Sequence, residues 1–513
     1  MRVPISRSIR TLDPSGGESE EVVTHNVIRQ LYEGLVEYDP HTLSVVGRIA
    51  RSWEASADGR EWTFRLEEGV RFLDDPCFPS GRGRAVTSAD AKYSIERGIA
   101  SSRGSGRAGL PQVVGLAQCL AQQSSEIRGI VAASPQVLIV RLERPDPGFL
   151  HFLALPPCFI VAREAVERYG PQMRVHPVGT GPFRLASWKA PTGVVLVRNR
   201  HYWRTDDSGK RLPYVDALRF VRTDIAAHLY ALDTIDVFFS YTRNAPADSL
   251  GSLASAESAG WRHYFVPWLN TIYVRFNYRS DHPLVQDRRL REALSCVLPR
   301  SNPHDHIPAA GLLPPGLPGH DPQLQGQRTD VSKARRLLEQ AGFADRTAIP
   351  PLELAWPIWS AWGAGAFAEA LRRLGIEAEV RVLETDEFAR AIRNNEVDLF
   401  RDGWVADYPD PQNFLQLFHS ASPKNLGGYS NPRYDRLFEE LTRELDENRR
   451  QSLARQLERI LIEDSTALFI RHERQSQFVS PRVENWEGNC TNPMNIHFYE
   501  RVSVHTELER VVR

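Results

Sequence analysis

An aspartate and a tryptophan that follow a short apolar run could together hold a cation. Trp404 and Asp407 lie in the 403–411 segment, after a run that begins at Val397. That run has the length of a sheet strand, and α/β proteins bind ligands beyond the carboxyl ends of strands. A carboxylate in a water-poor site needs a positive partner, so an ammonium would complement Asp407. The structural alternative is a plain turn, because Asp-Tyr-Pro-Asp-Pro is a favourable turn sequence.

Aromatic residues are concentrated in the same half of the chain and include Trp268, Tyr273, Trp356, Trp359, Trp362 and Trp404. Such side chains suit a pocket with an apolar body and polar tips, and core packing is the alternative for each. Arg401 lies two residues before Gly403, so both face the same side of a strand. Its guanidinium could bind a carboxylate or form a structural ion pair.

Motifs for catalysis or for a resident cofactor are not supported by this sequence. The Gly-x-Gly-x-x-Gly match at 104–109 follows a helix and a loop instead of the strand that a dinucleotide site needs. His304, His306 and His320 fall in a proline-rich loop, where a metal contact is the alternative to a solvated loop. The five cysteines are scattered and include no Cys-x-x-Cys pair, which indicates neither zinc nor a disulfide framework and leaves one bridge among Cys77, Cys119 and Cys158 open. We therefore predict neither an enzyme nor a cofactor or metal site.

Size and charge set further bounds. With 513 residues, the chain exceeds one ordinary core and predicts two or three domains. The 63 basic and 64 acidic residues leave a net charge of -1, which argues against nucleic acid or a membrane surface as partner. The most apolar run, 149–161, is too short to span a bilayer, and the first residues lack the apolar core of an export signal peptide.

The elements that must position these residues are both helical and extended. The first half predicts helices at 22–35 and 87–98 and strands at 62–66, 137–142 and 193–197. A capping box, Thr87 with Asp90, opens the second helix.

The second half alternates between helix and strand, with helices at 331–341 and 364–374 and a strand at 376–382. This alternation predicts a mostly parallel sheet whose loops, including the 403–411 segment, gather at one edge. The Arg- and Glu-rich helices at about 432–463 are predicted to form a solvated outer layer.

Short motifs are distributed over nearly the whole chain, at 11–14, 31–35, 50–66, 86–90, 179–183, 199–203, 276–294, 313–316 and 403–411. In order and spacing they resemble the bacterial extracellular solute-binding proteins of family 5, the oligopeptide- and dipeptide-binding subunits of ABC importers. The resemblance implies an α/β, two-lobed periplasmic-binding-protein fold of type II, cluster C, with an extra α+β domain inserted in the N-terminal lobe.

The same resemblance implies domain boundaries. The first lobe would take residues 1–33, 163–255 and 469–513, the inserted domain 34–162, and the second lobe 256–468. A ligand would bind between the lobes, which close over it about a hinge.

The resemblance also implies a non-enzymatic receptor that captures peptides, or similar amine-bearing small solutes, and delivers them to the membrane permease of an ABC transporter. Asp407 would take the peptide α-ammonium, and Gly403 and Trp404 would contact its main chain. Trp268, in the first strand of the second lobe, would line the pocket, and Arg401 and Arg393 would face ligand carboxylates or acidic side chains. The predicted set also includes Tyr273, Trp359 and Trp362. Dipeptide-specific relatives carry an arginine near the loop that we align with 356–362, and its absence here favours oligopeptides.

A monomer in the periplasm or elsewhere in the cell envelope is expected from the family, with no cofactor and no nucleic-acid partner. The missing export signal is then interpreted as an incomplete start. One alternative is the same receptor with a non-peptide solute, such as a metal chelate, haem or a sugar. Another is an intracellular ligand sensor, although no basic helix-turn-helix precedes residue 12.

Overall fold

The computed structural model describes residues 1–5, 8–16, 22–101, 112–121, 123–124, 126–189, 193–222, 235–241, 258–298, 306–487 and 498–505. Two compact units make up the chain. Unit 1 comprises Met1–Val266 and Gln475–Arg513, and unit 2 comprises Pro267–Arg474. Within the described ranges, no helix combines the length and apolarity needed to cross a membrane.

The strands of the described residues are β1 Arg2–Ile5, β2 Val36–Tyr38, β3 Val45–Gly47, β4 Ala50–Ala55, β5 Glu61–Leu66, β6 Ile130–Ser134, β7 Val137–Arg141, β8 Phe183–Lys189, β9 Gly193–Arg198, β10 Ala217–Arg222, β11 Val237–Tyr241, β12 Arg262–Pro267, β13 Asn270–Phe276, β14 His306–Pro308, β15 Leu352–Pro357, β16 Ala378–Leu383, β17 Leu399–Val405, β18 Ala467–Val479, β19 Val483–Glu484 and β20 Ser503–Val504. The α-helices are α1 Val22–Leu31, α2 Ser88–Ser101, α3 Leu116–Leu120, α4 Phe149–Leu153, α5 Arg163–Tyr169, α6 Pro283–Gln286, α7 Arg288–Ser295, α8 Val331–Gln340, α9 Ala364–Arg372, α10 Thr385–Arg393, α11 Gln412–Leu415, α12 Pro432–Leu441 and α13 Glu447–Glu463. Short 3-10 helices lie at Pro156–Cys158, Gly170–Arg174, Arg346–Ala348, Ile358–Gly363 and Gln416–Phe418.

Most of the predicted elements are confirmed, including α1, α2, β5, β7, β9, α8, α9 and β16. The half of the capping box that Asp90 supplies is confirmed, because the Thr87 N–H and hydroxyl both donate to Asp90 Oδ2, at 2.8 and 2.9 Å. The Asp90 N–H donates to the Thr87 carbonyl oxygen at 3.0 Å and not to the Thr87 hydroxyl. The dinucleotide-like match at 104–109 lies outside the described residues.

Unit 1 contains two four-stranded sheets. One has the order β1-β10-β9-β8 and the other has the order β4-β5-β7-β6. The first joins its edge strand β1 to β10 in parallel, whereas its other pairs are antiparallel. The second sheet is antiparallel throughout and lies within the range predicted for the inserted domain. The three domain boundaries themselves stay a prediction.

A buried charge network explains two of the motifs in unit 1. Arg48 donates to Glu33 and to Glu500, both at 2.6 Å, and the side chains of Arg48 and Glu33 are 5% and 1% exposed. Glu33 also accepts hydrogen bonds from the Tyr202 hydroxyl at 2.8 Å and from Trp203 Nε1 at 3.1 Å. The Leu-Tyr-Glu-Gly-Leu and Asn-Arg-His-Tyr-Trp motifs therefore meet at one buried carboxylate. Their role here is to tie distant parts of the chain together.

The sheet of unit 2 is mixed, so the prediction of a mostly parallel sheet is wrong. Among the strands of this sheet that the structure describes, only β15 pairs in parallel, with β16 on one side and β17 on the other. β17 also pairs antiparallel with β13, and β13 pairs antiparallel with the first part of β18. The predicted alternation of helix and strand from 331 to 405 is confirmed, but β13 and β18 come from segments outside it. Their direction cannot be deduced from that local pattern.

The helices α12 and α13 are not simply a solvated layer, which corrects that prediction. α12 buries Tyr434 and Phe438, whereas α13 buries a face that includes Arg450 and Glu458. Charged residues of this kind are rarely buried unless they have partners, so their abundance was interpreted as exposure. Their partners, Asp410 and Leu313, belong to distant loops.

Candidate functional site

The 403–411 segment begins at the end of β17, which lies between β13 and β15 in the sheet of unit 2. Ala406 N donates to Leu269 O at 2.8 Å and holds the chain against the neighbouring strand. The backbone then turns and enters α11. Asp407 stands on this turn with a side chain that is 52% exposed. The predicted position of the aspartate, just past the strand, is confirmed.

A fully buried amide orients the two residues that could hold a cation. Asn413 Oδ1 accepts hydrogen bonds from Trp404 Nε1 at 2.7 Å and from Asp407 N at 3.0 Å. Asn413 Nδ2 donates to Asp407 Oδ2 at 3.1 Å. One side chain therefore fixes both the indole and the carboxylate, which the sequence prediction did not include.

An ammonium group already lies beside this pair. Lys424 Nζ is 3.7 Å from Asp407 Oδ2 and 4.2 Å from the centre of the Trp404 ring. A carboxylate and an aromatic face are the two groups that stabilise an ammonium most directly. The geometry therefore accommodates a primary ammonium, and we name Asp407, Trp404, Asn413 and Lys424 the ammonium site.

The turn of the ammonium site is anchored by a second, buried aspartate. Asp410 Oδ1 accepts a hydrogen bond from Gln412 N at 2.8 Å, and the backbone oxygen of Asp410 accepts from Asn413 N at 3.0 Å. Asp410 Oδ2 lies 2.5 Å from Arg450 Nη2, and these side chains are 7% and 3% exposed. Arg450 also donates to Leu441 O at 2.7 Å, so the turn is connected to α12 and α13. The segment is thus both a well-built turn and a candidate site, and the two interpretations do not exclude each other.

Arg401 lies on β17 as predicted, but its guanidinium is buried. Its central carbon is 4.8 Å from the centre of the Trp359 ring, which is exposed. A Cβ built on Gly403 would lie 3.5 Å from Arg401 Nη1 and 3.0 Å from Ile272 Cδ1, so Arg401 and Gly403 share a face. The aromatic loop at 356–362, which has no arginine of its own, thus receives one from β17. Its role toward a ligand carboxylate stays a prediction.

The other predicted residues are dispersed over unit 2. Tyr273 is fully buried in β13, where its hydroxyl accepts from Arg275 Nη2 at 3.2 Å and burial raises its pKa. Trp268 was predicted to lie in a strand, and that prediction is wrong. It lies in the connection between β12 and β13, where it is partly buried. Arg393 is exposed at the end of α10. Packing accounts for Tyr273, and the binding roles of all three stay predictions.

The remaining candidates add no second site. The side chain of Trp362 and all of His304 lie outside the described residues. His320 Nδ1 lies 2.8 Å from Leu313 O. In the part of the chain that the structure describes, no group of three or more histidines, cysteines or acids could hold a metal ion.

The sequence reasoning missed Asn413, Lys424, Asp410 and Arg450 as members or supports of the site. Asp410 and Asn413 were within reach of local reasoning, because an acid and an amide flank the start of the short helix α11. Lys424 and Arg450 come from later segments, and no periodicity in the sequence connects them to the turn.

A buried acid outside the ammonium site changes how stability depends on pH. Glu458 of α13 accepts a hydrogen bond from Leu313 N at 2.7 Å, and burial raises its pKa from the usual 4.5 to about 7. The raised pKa means that ionised Glu458 is disfavoured in the folded state. The contribution of Glu458 to the free energy of unfolding is therefore highest below pH 4.5 and falls as the pH rises toward about 7.

We expect Glu458→Gln to remove this dependence, because glutamine resembles the protonated acid. Relative to the variant, the wild-type free energy of unfolding should fall by up to about 3 kcal/mol between pH 5 and pH 8, as the pKa shift requires. Urea unfolding at both pH values measures the difference. His472, whose pKa burial lowers to about 3, is present in both proteins and cancels. Glu463→Gln, at an exposed position of α13, is the control, and equal slopes in wild type and Glu458→Gln would contradict the prediction.

Known proteins similar to this chain include peptide-binding proteins. The sequence profile described as Bacterial extracellular solute-binding proteins, family 5 Middle, matches residues 44–425. The Dipeptide-binding protein of Escherichia coli strain K12 is 26% identical over 507 residues, covering 92% of this chain and 89% of the relative. The Periplasmic oligopeptide-binding protein OppA of Salmonella typhimurium is 27% identical over 511 residues, covering 94% and 88%.

A solved structure shows the fold. The ABC transporter-associated periplasmic binding protein DppA from Helicobacter pylori, in complex with peptide STSA, aligns with a TM-score of 0.74 at 19% identity, over 99% of this chain and 98% of the other. The predicted fold class, that of the two-lobed periplasmic binding proteins, is confirmed by this likeness.

Proposed function

Because this chain belongs to the bacterial extracellular solute-binding proteins of family 5, we propose that it captures peptides with a free amino terminus and delivers them to the permease of an ABC transporter. The observation that carries the proposal is the ammonium held beside Asp407 and Trp404, which has the chemistry of a peptide amino terminus. Relatives named for binding dipeptides and oligopeptides support the ligand class.

The proposal extends to ligand length and cellular location. The 356–362 loop contributes aromatic and small residues and no arginine of its own, and the guanidinium of Arg401 that packs on Trp359 is buried. No arginine of the loop is then left for a short ligand's carboxylate, which favours peptides longer than two residues. The OppA relative is named periplasmic, so we place the working protein in the cell envelope, where it would act as a monomer.

We expect Asp407→Asn to weaken the binding of Ala-Ala-Ala by at least about tenfold, which corresponds to about 1.4 kcal/mol. The substitution removes the carboxylate charge and retains the shape that Asn413 contacts. Isothermal titration calorimetry with the full chain measures the change. The same loss should appear when wild type is titrated with N-acetylated Ala-Ala-Ala, because acetylation removes the ammonium from the ligand.

Asp386→Asn is the matched control, since Asp386 is an exposed aspartate of the same unit on α10. Its affinity should equal that of wild type. If Asp407→Asn binds Ala-Ala-Ala as tightly as wild type does, and wild type binds the acetylated peptide as tightly as the free one, Asp407 does not receive the peptide amine.

Titration with Ala-Ala, Ala-Ala-Ala and Ala-Ala-Ala-Ala tests the length preference, and tighter binding of the dipeptide would reject that preference.

A further inference from the structure

Lys424 is held beside Asp407 by a framework that does not depend on ligand. Arg275 is buried, and its Nη1 donates to Lys424 O at 3.2 Å and to Leu417 O at 3.0 Å. The guanidinium of Arg275 is itself neutralised by Asp402, at 2.8 Å. The backbone of Lys424 is thus fixed at the site, and its side chain is 25% exposed.

The charges of the ammonium site create a conflict for a simple peptide. Asp407 and Lys424 together carry no net charge, and Asn413, which also contacts Asp407, is neutral. A peptide ammonium that binds Asp407 adds a second cation beside one carboxylate. At such separations two unit charges of equal sign repel by an amount that lowers affinity about fivefold or more, even near water. Either Lys424 must turn away, or the ligand must bring a negative charge of its own.

An acidic first residue supplies that negative charge at the right distance. In an amino-terminal aspartate the ammonium and the side-chain carboxylate are carried by neighbouring carbon atoms. The two charges of the protein are similarly close, with 3.7 Å between Lys424 Nζ and Asp407 Oδ2. The ligand ammonium can therefore approach Asp407 while the ligand carboxylate approaches Lys424, and each charge gains a partner.

We infer that Lys424 is a specificity-determining residue, which favours peptides with an acidic first residue over peptides with a neutral one. The inference rests on the proposed function, because it needs the peptide amine to bind Asp407. In the ligand-free protein, the Lys424 ammonium neutralises Asp407. A peptide whose first side chain is neutral must displace this ammonium, whereas a peptide whose first side chain is acidic can form an ion pair with it.

The test compares two peptides of nearly equal shape, Asp-Ala-Ala and Asn-Ala-Ala, by calorimetry on the full chain. Wild type should bind the aspartate peptide about five- to tenfold more tightly. Lys424→Met should remove this preference and bind Asn-Ala-Ala more tightly than wild type does. Raising the salt concentration from 0.05 to 0.5 M should reduce the wild-type preference, because both charges are partly exposed.

Two variants guard against trivial effects. Lys333→Met removes another lysine of unit 2, which lies 2.7 Å from Glu292, and should keep the wild-type preference. Lys424→Gln should behave as Lys424→Met does, and urea unfolding establishes that both variants are folded. A wild type that does not distinguish the two peptides, or a Lys424→Met variant that still does, overturns the inference.

The failure of the inference differs from the failure of the proposed function. Equal binding of the two peptides by wild type, together with the expected loss on Asp407→Asn or acetylation, rejects the role of Lys424 and keeps the ammonium site. Binding that ignores both Asp407→Asn and acetylation rejects the ammonium site and with it the role of Lys424. Absence of binding of any peptide by wild type rejects both.

Discussion

Arg450→Met is expected to lower the free energy of unfolding by about 3 to 5 kcal/mol and to weaken peptide binding in the same protein. Arg450 is 3% exposed and lies 2.5 Å from the buried carboxylate of Asp410. The removal of a guanidinium from a buried pair leaves a charge that water cannot reach, which is far costlier than the loss of an exposed pair. Because Asp410 also bonds to Gln412 and Asn413, the damage should spread to the turn that carries Asp407.

Urea unfolding followed by circular dichroism measures the stability, and calorimetry with Ala-Ala-Ala measures the binding at a temperature where the variant is folded. Arg449→Met provides the control at the neighbouring position, where the side chain is 56% exposed and pairs with Glu440. It should change neither quantity appreciably. If Arg450→Met is as stable as wild type, the buried Asp410 does not depend on its ion pair with Arg450. If the variant is destabilised but binds the peptide with wild-type affinity, the turn that carries Asp407 does not depend on that ion pair.

Arg48→Met is expected to have an effect of similar size on unit 1, about 3 to 5 kcal/mol of unfolding free energy. Arg48 contacts three carboxylates, those of Glu33, Glu37 and Glu500, at 2.6, 2.9 and 2.6 Å. Arg204 lies within ion-pair distance of Glu37 and Glu500 and would neutralise part of the remaining negative charge. The remaining excess of negative charge is buried, where repulsion between the carboxylates and the lack of solvation both oppose folding.

This second prediction has an internal check. Neutralising the excess buried negative charge by adding Glu33→Gln and Glu500→Gln to Arg48→Met should recover part of the lost stability, because fewer buried carboxylates then lack a partner. Arg60→Met, at an exposed ion pair 3.9 Å from Asp58, is the control. If the triple variant is less stable than Arg48→Met alone, the loss comes from packing or hydrogen bonds and not from uncompensated charge.

The sequence predicted the local frame of the site and the identity of its acid. The apolar run up to Val405 indicated a strand, and a strand end is where a turn residue such as Asp407 becomes available to a ligand. Neither inference needed information from elsewhere in the chain. The assignment of an ammonium to Asp407 needed the family resemblance, because the turn sequence alone is equally suited to a structural role.

The partners of that acid could not be predicted, because hydrophobic periodicity gives the face of an element and not the distance between elements. Lys424 follows a short helix and a loop, and only the tertiary structure brings its ammonium to Trp404. Arg450 belongs to a helix whose charged composition indicated exposure, and its burial becomes intelligible only beside Asp410. The prediction of a mostly parallel sheet is wrong for a related reason. β13 pairs with β17 and with β18, and long stretches of chain separate these strands.

The contact between Lys424 and Trp404 also makes the indole a built-in optical reporter. A full positive charge 4.2 Å from the ring centre exerts a strong field on the chromophore, and its departure or neutralisation changes that field. The emission spectrum should therefore shift as a peptide replaces or pairs with the lysine. Subtraction of the spectra of Trp404→Phe isolates this one indole among the 11 tryptophans of the chain. Ligands without an intrinsic colour could then be screened directly, with no label attached to the protein or to the peptide.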